Sequence, residues 1–290
     1  MKGIYPASIT PFDSSGCINQ PVLRRLMEQN LAQGADGFFL GGSSAECFLL
    51  TQKERLAVFE AGAAFAGRTC LVAHVGAVAT QEAITYAKAA KALGYHHIAA
   101  TPPFYYGFDP QQVAGYYYDI AKAVDMPVLV YNFPANTGKA FDLAHPAIRR
   151  LFCSSAVLGI KHTNLNLFQM ERIRRLNPSL VIMNGFDETM VAGLALGADG
   201  SIGSTFNFML PHYRKIYDAY RAGETQKALE LQTKANNIME ALCAAGLIAA
   251  IKYVLCTMGI DAGVPRKPFT PLQGRQQAFI DQVLKGNLVV

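Results

Sequence analysis

The sequence predicts an α/β fold of the (β/α)8 TIM-barrel type with a helical appendix at its C-terminal end. Three observations carry this expectation. Eight short apolar runs alternate with amphipathic stretches, the pattern of a parallel sheet covered by helices. After residue 223 the apolar runs stop and the pattern becomes helical. The turn after the first run reads Thr10-Pro11-Phe12-Asp13, where a doubly wound dinucleotide-binding sheet would need a glycine-rich loop. A chain of 290 residues, 51% hydrophobic, can bury a large core, and one barrel accounts for about 250 residues.

Taken in order, strands are expected at 3–9, 37–40, 69–74, 97–100, 127–131, 157–161, 180–183 and 200–202. The intervening helical patterns cover 21–33, 52–66, 81–93, 110–124, 143–152, 167–176, 188–196 and 211–222. Each is long enough to cross back over the sheet, and several end in a glycine stop such as Gly34, Gly94 or Gly197. Residues 1–222 form the expected catalytic barrel, and 223–290 the appendix packed on it. The appendix holds helical runs at 225–245, 247–258 and 273–285, with Pro265, Pro268 and Pro271 breaking the second from the third.

Composition narrows the function classes. The net charge of +5 comes without a basic run longer than pairs such as Arg24-Arg25, which argues against nucleic acid and suits an anionic small molecule. Six cysteines lie far apart with no CxxC pair, so neither a zinc site nor a disulfide framework is expected. No segment reaches 18 uncharged apolar residues, and Met1-Lys2-Gly3-Ile4-Tyr5-Pro6 lacks the apolar core of a signal peptide. The expectation is a cytoplasmic protein that does not engage a membrane.

In a barrel the chemistry sits where strands end and their loops begin. Here those positions are polar: Thr10, residues 41–46, His74, Thr101, Tyr131-Asn132, Lys161-His162-Thr163, residues 184–188 and Gly203-Ser204-Thr205. Lys161 closes the run Val157-Leu158-Gly159-Ile160. A strand-end amine in dry surroundings is disfavoured in its charged form and can attack a carbonyl, although the position also suits a lysine that snorkels to water. Gly42-Ser43-Ser44 offers amide donors and two hydroxyls suited to a carboxylate, or a serine-capped loop. Tyr131 could carry a proton near the lysine or only cap the core. His74 and His162 fit hydrogen-bonded strand ends and are given no catalytic role.

Taken together, these stretches resemble the pyruvate-dependent class I aldolases that include dihydrodipicolinate synthase and N-acetylneuraminate lyase. The resemblance runs from Thr10-Pro11-Phe12 through residues 41–46, Pro103-Phe104-Tyr105-Tyr106, Tyr131-Asn132-Phe133-Pro134 and Gly159-Ile160-Lys161 to residues 200–204 and Arg266-Lys267-Pro268-Phe269. It implies that Lys161 forms the Schiff base, Tyr131 transfers the proton, and Ser43 and Ser44 hold the pyruvate carboxylate. It further implies that Tyr106 reaches across a tight dimer interface to complete a hydroxyl relay with Tyr131 and Ser43. A homotetramer, built as a dimer of dimers, and a reaction without metal or organic cofactor follow from the same resemblance.

The substrate's far end separates the members. The synthase pattern carries a positive residue where this chain has Ala135-Asn136-Thr137-Gly138. The lyase pattern, Asn-Gly-Tyr-Asp-Glu, is matched by Asn184-Gly185-Phe186-Asp187-Glu188. The resemblance therefore implies a sialic acid aldolase with Gly185, Asp187, Glu188, Thr163 and Ser204 on the polyol, although Asp187 and Glu188 also suit a helix N-terminus. An aldolase for another 2-keto-3-deoxy sugar acid, the synthase, and a non-catalytic sugar-acid-binding barrel are the competing readings. Two departures from the family pattern are Ser44-Ala45 before Glu46 and the run His162-Thr163-Asn164-Leu165-Asn166 after the lysine.

Overall fold

In the computed structural model, which describes residues 1–288, eight strands alternate with helices along the chain. The strands are β1 (Gly3–Pro6), β2 (Gly37–Leu40), β3 (Cys70–His74), β4 (His97–Ala100), β5 (Val128–Asn132), β6 (Val157–His162), β7 (Val181–Asn184) and β8 (Gly200–Gly203). The helices that follow them are α1 (Gln20–Ala32), α2 (Gln52–Ala63), α3 (Thr80–Ala92), α4 (Pro110–Val124), α5 (Pro134–Thr137), α6 (Pro146–Phe152), α7 (Leu167–Leu176), α8 (Met190–Ala195) and α9 (Phe206–Arg221). Three more, α10 (Thr225–Ala245), α11 (Leu247–Thr257) and α12 (Gly274–Asn287), lie beyond the last β/α repeat. The strands make one sheet in the order β1-β8-β7-β6-β5-β4-β3-β2, and the fold is a (β/α)8 TIM barrel with a helical appendix.

The chain divides into two compact units. One holds residues 1–2 and 65–202. Within it β3 to β7 pair in parallel, and α3 packs on α4 and α4 on α6. These strands are almost wholly buried, as parallel strands covered by helices must be. Asp109 opens α4 with a capping box, its carboxylate accepting from Gln112 N while the Gln112 side chain accepts from Asp109 N.

The other unit holds residues 3–64 and 203–288. In it α9 packs against β1, α1 and α10, and α10 packs against α11 and α12. A second capping box, Thr51 with Glu54, starts α2. An ion pair between Asp36 and Arg214 (2.8 Å), with Asp36 also accepting from Ile4 N, ties the start of β1 to α9.

Several boundaries differ from the sequence expectation for identifiable reasons. The strand expected over 3–9 is regular only to Pro6: Ala7 N still donates to Gly203 O of β8 and Ser8 N to Phe39 O of β2, with Ala7 bridged to Phe39, and the pairing is lost where Ile9 N turns to the Asn207 side chain. The helix expected at 143–152 begins at Pro146, where the His145 ring accepts from Ala147 N. The one expected at 188–196 splits into a 3₁₀ turn, Asp187–Thr189, followed by α8. The last barrel helix starts at Phe206, ahead of Pro211, and bends at Met209 (φ −112°, ψ 19°), since proline supplies no N–H to the preceding turn.

Gly159 in β6 is the position with least room. It pairs with Val181, and a β-carbon there would lie 1.9 Å from the Val181 carbonyl oxygen. Any side chain would wedge β6 from β7 just two residues before Lys161. Gly159→Ala is expected to destabilise the protein by about 3 kcal/mol or more, read as a lowered urea midpoint, because overpacking against backbone cannot relax by rotamer change. A wild-type midpoint in that variant would show that β6 and β7 are not so closely paired.

Candidate active site

Parallel pairing of β5 with β6 places Tyr131 opposite Lys161, so their side chains leave the sheet on one face at neighbouring strand ends. Both residues are 3% exposed. The Lys161 Nζ lies 3.6 Å from the centroid of the Tyr131 ring and donates to Thr163 Oγ1 at 3.3 Å. An amine on a phenol face is shielded from bulk water and attracted by the ring's quadrupole when charged. The other side of the tyrosine is equally defined. The His74 ring meets it nearly edge-on (5.6 Å, 83°), and Phe133 stacks against it at 5.9 Å. His74 Nε2 accepts from Thr101 N (3.3 Å), so its proton sits on Nδ1 in the neutral ring. Thr101, at the end of β4, is 1% exposed, and its hydroxyl has no hydrogen-bond partner among the described residues.

The loops after β6 and β7 extend this surface. Thr163 N donates to Asn132 O and Gly185 N to His162 O, both at 2.9 Å, which carries the ladder beyond the strands. A β-carbon on Gly185 would lie 2.0 Å from Thr163 Oγ1, so glycine alone lets the two loops approach. Asn184 anchors the 3₁₀ turn that follows: its Nδ2 donates to Phe186 O (2.6 Å) and its Oδ1 accepts from Thr189 Oγ1 (3.1 Å). That turn presents Asp187, which is buried, and Glu188, which is half-buried. Burial pushes the Glu188 carboxyl above its ordinary range, its own backbone N–H opposes the shift, and the charge of Asp187 adds to it. Phe186 stands edge-on to Phe133 at 5.9 Å, continuing an aromatic wall from Tyr131.

On the opposite face of β5 and β6 the polar groups serve the scaffold. Asn132 Nδ2 donates to His162 Nδ1 and to Gln169 Oε1, both at 3.2 Å, and Gln169 Nε2 donates to Phe141 O. His162 Nε2 donates to Asn166 O at 3.0 Å, which defines the neutral tautomer. Burial pulls the His162 pKa down to about 4, against a smaller upward pull from the Asn166 carbonyl. Sequence reasoning assigned His162 no chemistry, and it lies on the face away from Lys161.

In the other unit, Ser43 and Ser44 begin a 3₁₀ turn, Ser43–Ala45, entered from Gly42. Both serines are partly accessible, whereas Ala45 is fully buried with its carbonyl accepting from Thr10 Oγ1 at 2.8 Å. The alanine is therefore accommodated, its methyl packed inside. Ser204, 8% exposed, follows β8, and its carbonyl accepts from the Asn207 side chain at 2.7 Å. Glu46 and Lys252 form a buried ion pair, flanked by the partly exposed Arg266, that sequence reasoning missed. Its only linear signal is a lone lysine in the otherwise apolar helix α11, LIAAIKYVLCT.

Tyr106 belongs to the same unit as Lys161 and Tyr131. It is 58% exposed on the loop after β4, edge-on to Tyr105 at 5.0 Å and Phe108 at 5.9 Å. Among the described residues no cluster of three His, Cys, Asp or Glu side chains is arranged to hold a metal ion, and no single helix is long and apolar enough to cross a membrane. What the first unit assembles is a dry amine, a phenol against it, and carboxylates and hydroxyls on the adjoining loops. That set can bind a carbonyl covalently and hold a hydroxylated chain beside it.

Comparison with known proteins agrees with this chemistry. Residues 1–287 match the dihydrodipicolinate synthetase family. The chain is 38% identical over 285 residues to an N-acetylneuraminate lyase of Rhizobium meliloti strain 1021, covering 98% of this chain and 94% of that protein. It is 41% identical over 275 residues to N-acetylneuraminate lyase 2 of Escherichia coli O6:H1, covering 94% and 90% of the two chains. Among solved structures, CdNal from Clostridium difficile in complex with mannosamine superimposes with a TM-score of 0.94 at 34% identity over 99% of both chains.

The buried His162 generates an expectation for stability against pH. Its folded pKa, about 4, is below the ordinary 6.5, so between those values the unfolded chain binds more protons and stability rises with pH. The contribution is whole above pH 6.5 and is lost as pH falls towards 4, at up to about 1.4 kcal/mol per pH unit. His162→Gln should lower the slope of unfolding free energy against pH in that window by up to one proton; an unchanged slope would show that His162 is not held neutral.

Proposed function

The chain belongs to the dihydrodipicolinate synthetase family, and from that membership and its lyase relatives we infer that it cleaves N-acetylneuraminate to pyruvate and N-acetylmannosamine. The observation that carries the reading is the buried Lys161 amine lying 3.6 Å from the Tyr131 ring centroid, on paired residues at the ends of β5 and β6.

The Lys161 amine attacks the C2 ketone of the open-chain sugar acid, and loss of water leaves an iminium. Tyr131 takes the proton of the C4 hydroxyl, the C3–C4 bond breaks, and its electron pair passes into the iminium. The products of that step are the aldehyde of N-acetylmannosamine and an enamine of pyruvate. Protonation of the enamine at C3 and hydrolysis of the imine release pyruvate and regenerate the amine. Ser43 and Ser44 are assigned to the substrate carboxylate, with donors that suit an anion. Asp187, Glu188, Thr163, Gly185 and Ser204 are assigned to the polyol, where acidic acceptors match hydroxyl donors and disfavour a dicarboxylate partner.

Tyr106 is assigned to a neighbouring copy's site in a homotetramer, a role supported by its exposure on a loop of its own chain. The widely spaced cysteines, without a CxxC pair, support a reducing, cytoplasmic setting.

Borohydride added with pyruvate should attach one pyruvate-derived mass to the wild type at Lys161 and none to Lys161→Ala. Labelling at another lysine would refute the assignment. Tyr131→Phe should still trap pyruvate and lose turnover by about 10²-fold or more, whereas a wild-type rate would remove Tyr131 from proton transfer. A panel of 2-oxo sugar acids assayed for pyruvate release should favour N-acetylneuraminate; preference for a 2-keto-3-deoxy acid without the acetamido group would transfer the reading to that sugar, and ligand binding without any pyruvate release would identify a sensor.

A further inference from the structure

The Ser43–Ser44 turn ends on Glu46, a non-glycine residue in the left-handed region (φ 58°, ψ 32°). Such a residue persists only where its surroundings over-determine it. Here they do so through its side chain. Glu46 Oε1 lies 2.7 Å from Lys252 Nζ, in a pair whose side chains are 0% and 1% exposed, and Oε2 accepts from Arg266 N at 2.6 Å. Lys252 comes from the middle of α11 and is itself braced, donating to Val264 O and resting 4.0 Å from the Phe12 ring centroid. The Arg266 guanidinium covers the same ring at 4.5 Å, pairs with Glu54 at 2.7 Å and donates to Leu49 O and Gly16 O.

The backbone transmits this fixation to the serines. Glu46 N donates to Ser43 O at 3.0 Å and Ala45 N to Gly42 O at 3.1 Å, while Thr10 secures Ala45 O. Cys47 N donates back to Gly42 O at 3.4 Å, a bond that reaches around the turn only while Glu46 keeps its left-handed conformation. Burial pulls the Lys252 amine below its ordinary range, and the Glu46 charge opposes that shift. Removing the lysine leaves a buried carboxylate that must protonate or rotate out, and either change frees the turn.

We propose that Lys252 is a positioning residue for the carboxylate-binding turn, acting through Glu46 to hold Ser43 and Ser44 ready for the carboxylate of a 2-oxo acid. This rests on the assignment of those serines made above. The appendix is thereby part of substrate recognition, although Lys252 touches no reacting atom.

Two variants test it, Lys252→Met and Glu46→Gln/Lys252→Met, with pyruvate as the probe. The single variant should weaken pyruvate binding about tenfold, the scale of having to order one or two backbone residues on binding. Borohydride trapping at saturating pyruvate should still label Lys161, and KM for cleavage should rise more than kcat falls. The double variant removes the unpaired buried charge, so it should recover thermal stability while pyruvate affinity remains reduced. It also carries the test if the single variant does not fold. Recovery of affinity together with stability, or wild-type affinity in either folded variant, would overturn the proposal. Ser43→Ala/Ser44→Ala separates the two assignments: if it leaves pyruvate affinity unchanged, the serine assignment is wrong; if it weakens affinity while Lys252→Met does not, only the role of Lys252 is wrong.

Discussion

The register between β5 and β6 is the constraint on which the rest depends. Pairing Tyr131 with Lys161 puts amine and phenol on one face at the same height. Shifting either strand by one residue would turn one of them to the helix side, since side chains alternate across the sheet. Gly159 permits β6 to sit against β7, and the continuing backbone bonds of Thr163 and Gly185 extend the same register into the loops. The Lys161–Tyr131 pair and the loops assigned to the polyol are thus consequences of one ladder rather than separately built parts.

Around this ladder, buried polar groups divide by face. His162 and the Asn132 amide nitrogen are bonded on the outer side through Gln169 and Asn166, with His162 held neutral by burial. On the inner side the Thr101 hydroxyl, buried and without a protein partner among the described residues, is the kind of group that water or substrate completes. The ionic groups of the other unit follow a different logic. Glu46 and Lys252 are buried as a mutual pair, and their worth lies in specifying a strained turn, since net stabilisation from buried pairs is small.

Much of the fold was legible along the chain. Period and length distinguish eight apolar runs from the helices between them, and burial of parallel strands on both faces makes those runs continuous. Boundaries failed where a local residue acts through a tertiary partner. The first strand falls short of Ile9 because the Ile9 amide turns to the Asn207 side chain, and Glu188 lies in a 3₁₀ turn because Asn184 and Thr189 pin it there. Lys161, Tyr131, Ser43 and Glu188 were visible as chemistry-bearing residues at strand ends. Lys252 was not, because a single lysine in an apolar helix has no linear partner to reveal its function.

By itself, therefore, the sequence determined the alternation of elements, the fold class and the identity of the candidate nucleophile, all properties encoded by local periodicity and residue type. Tertiary structure alone decided that Lys161 lies over the face of Tyr131, that Gly185 must make way for Thr163, and that Glu46 finds its counter-charge 206 positions further along the chain at Lys252. Those relations depend on distances between segments remote in sequence, which no local pattern records, and they are set only when the strands come into register and the helices close over them.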